Sequence, residues 1–129
     1  MPLQMDVKIE LIHLPVTDVD RAKAFYVDQC GFVADHDQTP APGLRFVQVT
    51  PPGSACSFAF GTGLGMSQIA PGKLDVIQAV IPDADAALEQ LRASGVAAEG
   101  VDEQPWGRFV TFTDPDGNRW TLQQLVPRG

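Results

Sequence analysis

LIHLPVTDVDRAKAFYVDQCGF (Leu11–Phe32) and VIQAVIPDADAALEQLRASGV (Val76–Val96) are two versions of one pattern. Aligned, they pair Asp18 with Asp83, Asp20 with Asp85 and Ala22 with Ala87, each 65 positions apart, and after one deletion Gly31 with Gly95. A second pair of stretches, RFVQVTPPGSACSF (Arg45–Phe58) and RFVTFTDPDGNRWTL (Arg108–Leu122), follows in the same order. It matches Arg45, Phe46, Val47 and Pro52 to Arg108, Phe109, Val110 and Pro115 at a separation of 63. One insertion later, the same comparison sets Gly53 against Gly117, Ser57 against Thr121 and Phe58 against Leu122. Such a double match indicates a duplicated unit of about 60 residues, a size that rarely buries enough apolar surface alone.

Each unit reads as βαβββ. It opens on an alternating strand, Ile9–Val16 or Val76–Ile81, followed by a helix that starts at Asp18 or Asp83, whose carboxylates can cap free amides. Thr17 with Asp20 fits a capping box. Ala84, Ala87, Leu88 and Leu91 form one apolar helical stripe, and Gly31 and Gly95 stop the helices. A short strand follows each helix, near Phe32–Asp35 and Val96–Glu99. Two more strands then meet at a Pro/Gly turn: Leu44–Thr50 with Ser57–Gly61, and Arg108–Thr113 with Arg119–Leu125. The boundaries are 1–64 for the first module, 65–73 for a linker, 74–126 for the second module and 127–129 for a tail. LVPRG at the end has the look of a protease-site remnant. GTGLG (Gly61–Gly65) follows a strand, opens no evident helix and lacks the Lys and Ser/Thr of a phosphate loop, so it belongs to the linker region.

Composition narrows the partners. The 129 residues are 44% hydrophobic, enough for one domain with an ordinary core. A formal charge of −7, with only nine Lys and Arg, argues against nucleic acid and anionic membranes. No apolar run is long enough to span a membrane, MPLQMDVKIE lacks the layout of a secretory signal, and the chain reads as cytoplasmic. Cys30 and Cys56 lack zinc-site spacing and read as free thiols. DPDGN (Asp114–Asn118) is a turn and not a calcium loop, because Gly117 comes fourth, not sixth, and Leu125 stands at the twelfth position.

The paired modules, the front motif LPVTDVDRAKAFYVDQCGF and the closing FTDPDGNRWTL resemble the vicinal oxygen chelate superfamily of glyoxalases, bleomycin-resistance proteins and dioxygenases. The resemblance runs from Ile9 to Leu125. It implies an α+β fold in which two tandem βαβββ modules form a curled mixed sheet around a cup. In metal-using relatives, His, Glu or Gln from four strands hold a divalent ion. The corresponding positions here are Leu11, Ser57, Val76 and Thr121, two apolar residues and two hydroxyls, a poor set for such an ion. The expectation is therefore no metal and no cofactor.

Strand alternation puts His13 on the face of Leu11, Gln78 on that of Val76, Ala59 on that of Ser57 and Gln123 on that of Thr121. These residues, with Trp106 beside the third strand of the second copy, form the candidate ligand-binding set. His13 is also the candidate catalytic residue; the competing reading is a half-buried structural imidazole bonded to a neighbouring strand. Trp106 either stacks on a planar ligand or packs. His36, in DHDQTPAPG, reads as a solvated loop residue, and the repeat-equivalent Arg45 and Arg108 read as shared architecture. The Phe58 and Phe60 strand belongs to a sheet whose edges need cover, and the resemblance implies a homodimer.

The function implied is binding of a small, largely apolar organic molecule, by sequestration or by metal-free lyase or isomerase chemistry. One competing reading is a metal-dependent lyase, isomerase or dioxygenase with displaced ligands. Another is a non-catalytic structural or partner-binding module.

Overall fold

A computed structural model describes residues 2–64 and 70–126, so the expected linker lies partly, and the tail wholly, outside the described residues. Among the described residues eight strands form two four-stranded sheets. Strands β1 (Leu11–His13), β2 (Val33–Ala41), β3 (Leu44–Thr50) and β4 (Ser57–Thr62) make the first, in the order β1-β4-β3-β2. Strands β5 (Ile77–Val80), β6 (Glu99–Gln104), β7 (Gly107–Thr113) and β8 (Arg119–Leu125) make the second, in the matching order β5-β8-β7-β6. In each sheet the first and last strands of the module run parallel and the other pairs antiparallel. The βαβββ duplication is therefore present.

Helix α1 (Val19–Lys23) is capped by Asp18, whose side chain accepts from the Arg21 amide. It continues as a wider π-helical stretch, Ala24–Gln29, in which the neighbours Phe25 and Tyr26 are both buried. Helix α2 (Ala84–Ala93) is capped by Asp83 in the same way. Gly31 and Gly95 follow the helices at φ +78° and +86°, where a side chain would be strained. The expected capping box is not formed, because the Thr17 hydroxyl instead donates to Asp116 in the other module at 2.6 Å.

Three strand expectations need correcting. β1 is shorter than Ile9–Val16, because its only partner, β4, begins at Ser57 opposite Leu11. β2 runs well past Asp35, through Pro40, so His36 lies in a strand rather than a loop. An edge strand tolerates Pro because its outer amides need no partner. β6 runs Glu99–Gln104 and not Val96–Glu99, because its pairing with β7 begins at Glu99 opposite Thr111. The strand of Phe58 and Phe60 lies between β1 and β3 in a sheet whose edges are β1 and β2, and both rings are buried.

Phe58, Phe60, Val47, Val49, Val110, Phe112 and Trp120 belong to one core shared by both modules and their helices. Trp120 is 1% exposed, with ring centroids 4.9 Å from Phe58, 5.5 Å from Phe32 and 5.8 Å from both Tyr26 and Phe112. The modules thus dock through their helix-bearing faces. A buried polar clasp joins them. Tyr26 Oη donates to Asp114 Oδ2 at 2.6 Å and accepts from Trp120 Nε1 at 3.0 Å, while Asn118 Nδ2 donates to Asp114 Oδ2 and to the Pro15 carbonyl. The DPDGN turn is therefore the lock between modules.

Arg45 and Arg108 play one part twice. Arg45 bonds Asp20 and Asp37, and Arg108 bonds Asp85 and Glu103, so each ties the start of its helix to its sheet. Among the described residues no helix is long and apolar enough to cross a membrane.

Candidate functional site

Ladder register decides which side chains share a row. On the first sheet His13, Ala59, Gln48 and His36 lie side by side across β1, β4, β3 and β2. On the second sheet the row is Gln78, Thr121, Thr111 and Glu99 across β5, β8, β7 and β6. Because Val47 and Val49 point into the core, strand alternation turns Phe46 and Gln48 to the opposite face; Val110 and Phe112 do the same for Phe109 and Thr111. The two rows occupy corresponding places in the two modules.

That correspondence corrects the repeat alignment. Val49 pairs with Phe58 and its mate Phe112 with Trp120, so Phe58 and Trp120 are counterparts, and Thr121 answers to Ala59 rather than to Ser57. The turn after Thr50 is one residue longer than the turn after Thr113, which places the length change opposite to where sequence matching put it. Likewise Gln78, and not Val76, lies beside Thr121, and Val76 precedes β5 as an exposed residue.

Ser57 is buried on the His13 face beside Leu11, and its hydroxyl lies 2.6 Å from that of Thr50, which in turn donates to Asp35. With the Thr50 proton committed to the carboxylate, Ser57 donates to Thr50. On the second sheet Gln78 Nε2 donates to Gln123 Oε1 at 2.7 Å, and Gln123 Nε2 to the Trp106 carbonyl at 3.1 Å. That chain fixes the amides and holds the loop carrying Trp106, whose side is 60% exposed. Phe46 and Phe109, half-buried counterparts on the two faces, are the apolar walls that sequence reasoning passed over. Their strand alternation was the signal available.

Ladder register divides the candidate residues between the two sheets. Leu11, His13, Ser57 and Ala59 belong to the outer face of the first sheet, and Gln78, Thr121 and Gln123 to that of the second, with the shared aromatic core between. The donor set does not fit a divalent ion: Leu11 offers nothing, Ser57 is spent on Thr50, and Thr121 is a neutral hydroxyl beside an amide already bonded to Gln123. Among the described residues no three His, Cys, Asp or Glu side chains form a metal-binding group. A separate cavity of about 480 Å³ opens on the core side between the modules, bordered by Cys30, Phe32, Pro52, Leu91, Phe112 and Trp120.

The chain belongs to the Glyoxalase/Bleomycin resistance protein/Dioxygenase superfamily, whose sequence model matches residues 8–122. It is similar to TnmS3, an antibiotic binding protein from Streptomyces sp. CB03234, with 34% identity, a TM-score of 0.84, and coverage of 97% of this chain and 100% of that one. A glyoxalase/bleomycin resistance protein from the same Streptomyces is 36% identical with a TM-score of 0.78, covering 91% and 100%. Among curated proteins, the uncharacterized protein YetH of Bacillus subtilis (strain 168) is 26% identical over 118 residues, 91% of this chain and 98% of its own.

Proposed function

We propose that this protein binds a small, largely apolar, planar organic molecule without a metal, in a cup made when the half-cup of one copy faces the other half-cup of a second copy. The observation that carries the reading is the pair of matched faces. Each presents one phenylalanine, Phe46 or Phe109, beside a row that carries a few polar side chains, His13, Gln48 and His36 on one face and Gln78, Thr121, Thr111 and Glu99 on the other. Aromatic walls with a few directed polar groups are the ordinary composition of a small-molecule site. The likeness to an antibiotic binding protein at 34% identity supports the same class of ligand. Sequestration is the simplest activity for such a cup. If chemistry occurs, His13 is the group that moves a proton.

The test is a thermal-shift screen of polycyclic aromatic natural products and aldehydes, with metal analysis of protein purified without chelator. Binding to the folded state alone raises the melting temperature by mass action. A hit whose shift is lost on Phe46→Ala or Phe109→Ala supports the cup. A hit lost on Ala87→Phe, which fills the core-side cavity, moves the site there. Stoichiometric bound metal overturns the reading in favour of metal-dependent chemistry.

A further inference from the structure

Among the described residues Arg119 is the one arginine whose guanidinium has no acceptor. Arg21, Arg45, Arg92 and Arg108 each donate from the side chain to an oxygen, whereas Arg119 contributes its amide alone, to the Leu74 carbonyl. It pairs with Thr113 and stands two residues before Thr121 on β8, so it shares the outer face of Thr121 and Gln123. Glu99 lies on that face one row further in, opposite Thr111. Glu99, Thr111, Thr113 and Arg119 border one cavity of about 320 Å³.

The internal repeat supplies a comparison. Because Phe58 and Trp120 are counterparts, Arg119 answers to Ser57 and Thr113 to Thr50. In the first sheet those positions are closed by their own bonds, Ser57 to Thr50 and Thr50 to Asp35. In the second they carry a guanidinium and a hydroxyl that open into the cavity. Glu99 and Arg119 have opposite charges, yet no ion pair joins them among the described residues. Two strand spacings across and two residues along set their backbones roughly 12 Å apart. Asp102, the other acid on this face, is opposite Phe109 and is held by the Gln104 amide at 3.1 and 3.3 Å, so Glu99 is the carboxylate turned to the cavity.

We infer that this cavity takes the zwitterionic end of the ligand, an ammonium and a carboxylate a few bonds apart, as in an aromatic α-amino acid or a short peptide. The inference rests on the ligand-binding face proposed above and names the polar end that its second half receives. The carboxylate lies against Arg119, whose planar guanidinium offers paired donors, with the Thr113 hydroxyl beside it. The ammonium lies against Glu99. Each charge of the ligand offsets a repulsion met by the other, since a lone anion would face Glu99 and a lone cation Arg119. The aromatic ring then extends along β7 towards Phe109, two residues from Thr111 on the same face.

The experiment titrates L-tryptophan, tryptamine and indole-3-propionate into wild type, Glu99→Gln and Arg119→Gln, read by amide chemical shifts of isotope-labelled protein. Both positions are exposed, so each variant should keep the wild-type spectrum away from the cavity. Tryptophan, with both charges, should bind wild type at least about tenfold more tightly than either singly charged analogue, moving the amides of Glu99, Thr111, Thr113 and Arg119. Arg119→Gln should shift the preference between the analogues about tenfold towards tryptamine, and Glu99→Gln should shift it similarly towards indole-3-propionate. No binding of tryptophan at roughly 10 mM, shifts confined to the core-side cavity, or an unchanged preference in both variants overturns the zwitterion pocket. Where that happens and library hits still require Phe46 and Phe109, the cup stands without it. Charge discrimination in a protein whose library hits ignore Phe46 and Phe109 keeps the pocket and removes the shared cup.

Discussion

Removing one hydroxyl from the inter-module clasp tests the packing account at its centre. Tyr26 is 1% exposed, and its hydroxyl both donates to Asp114 and accepts from the Trp120 indole. Tyr26→Phe keeps the ring and its contacts, leaves Asp114 Oδ2 bonded to Asn118, and strands the buried Trp120 N–H. A hydrogen bond to a charged group contributes about 1.5–3 kcal/mol, and an orphaned buried donor costs about 1–3 kcal/mol. Allowing for overlap, the loss should be about 2–4 kcal/mol, equivalent to a fall of about 7–15 °C in Tm for a chain of this length. Urea unfolding with calorimetry measures both. Repeating the change in a Trp120→Phe background, where no N–H remains to be orphaned, should reduce its cost by about 1 kcal/mol or more. A cost below about 0.5 kcal/mol, or an identical cost in both backgrounds, refutes the reasoning.

Tyr26 is the sole tyrosine, and burial first, then the Asp114 charge, raise its ionisation well above the usual phenol range. The stability from its neutral form is fully present below pH 10.0 and is lost as pH rises further, so the phenolate absorbance at 295 nm should appear only together with unfolding. Burial, with a smaller push from Asp114, drives the Cys30 thiol up to about 12, so at pH 8 it should react with a disulfide reagent roughly 100-fold more slowly than an exposed thiol. Comparable rates for Cys30 and a small thiol would contradict its burial. Hydrogen bonds from Arg45, then Lys23, hold Asp37 well below the usual carboxylate range. Its contribution is present above pH 3.8 and lost as pH falls, so Arg45→Gln should flatten the acid limb of stability against pH. Gly61→Ala should destabilise or misfold the first module, because a β-carbon there would collide with the Arg45 backbone carbonyl, as circular dichroism and urea unfolding would show.

The bounds of β3 and β8 and the caps at Asp18 and Asp83 were legible because each rests on a local rule: strict alternation, or an acidic side chain before a helical stripe. β2 was misread because an edge strand with acids and a proline has the composition of a loop, and only its pairing with β3 makes it a strand. The faces of His13, Gln78, Thr121 and Gln123 followed from period two. Their row partners did not, since one residue of turn length slides β4 against β8 while both sequences still match. How the modules dock was also hidden. A duplicated sequence shows two units, but the burial of Trp120 against Phe58 and Tyr26, which joins them, is a long-range contact that no local rule gives.

The most direct test of the central claim is titration of a library hit into wild type, Phe46→Ala, Phe109→Ala and a mixture of the two variants. Each single variant should lose affinity, and the mixture should recover up to a quarter of wild-type sites, because a mixed pair carries one cup with both phenylalanines and one with neither. Undiminished binding by both variants, or a mixture that behaves as the plain average of the two, would contradict a cup shared between copies.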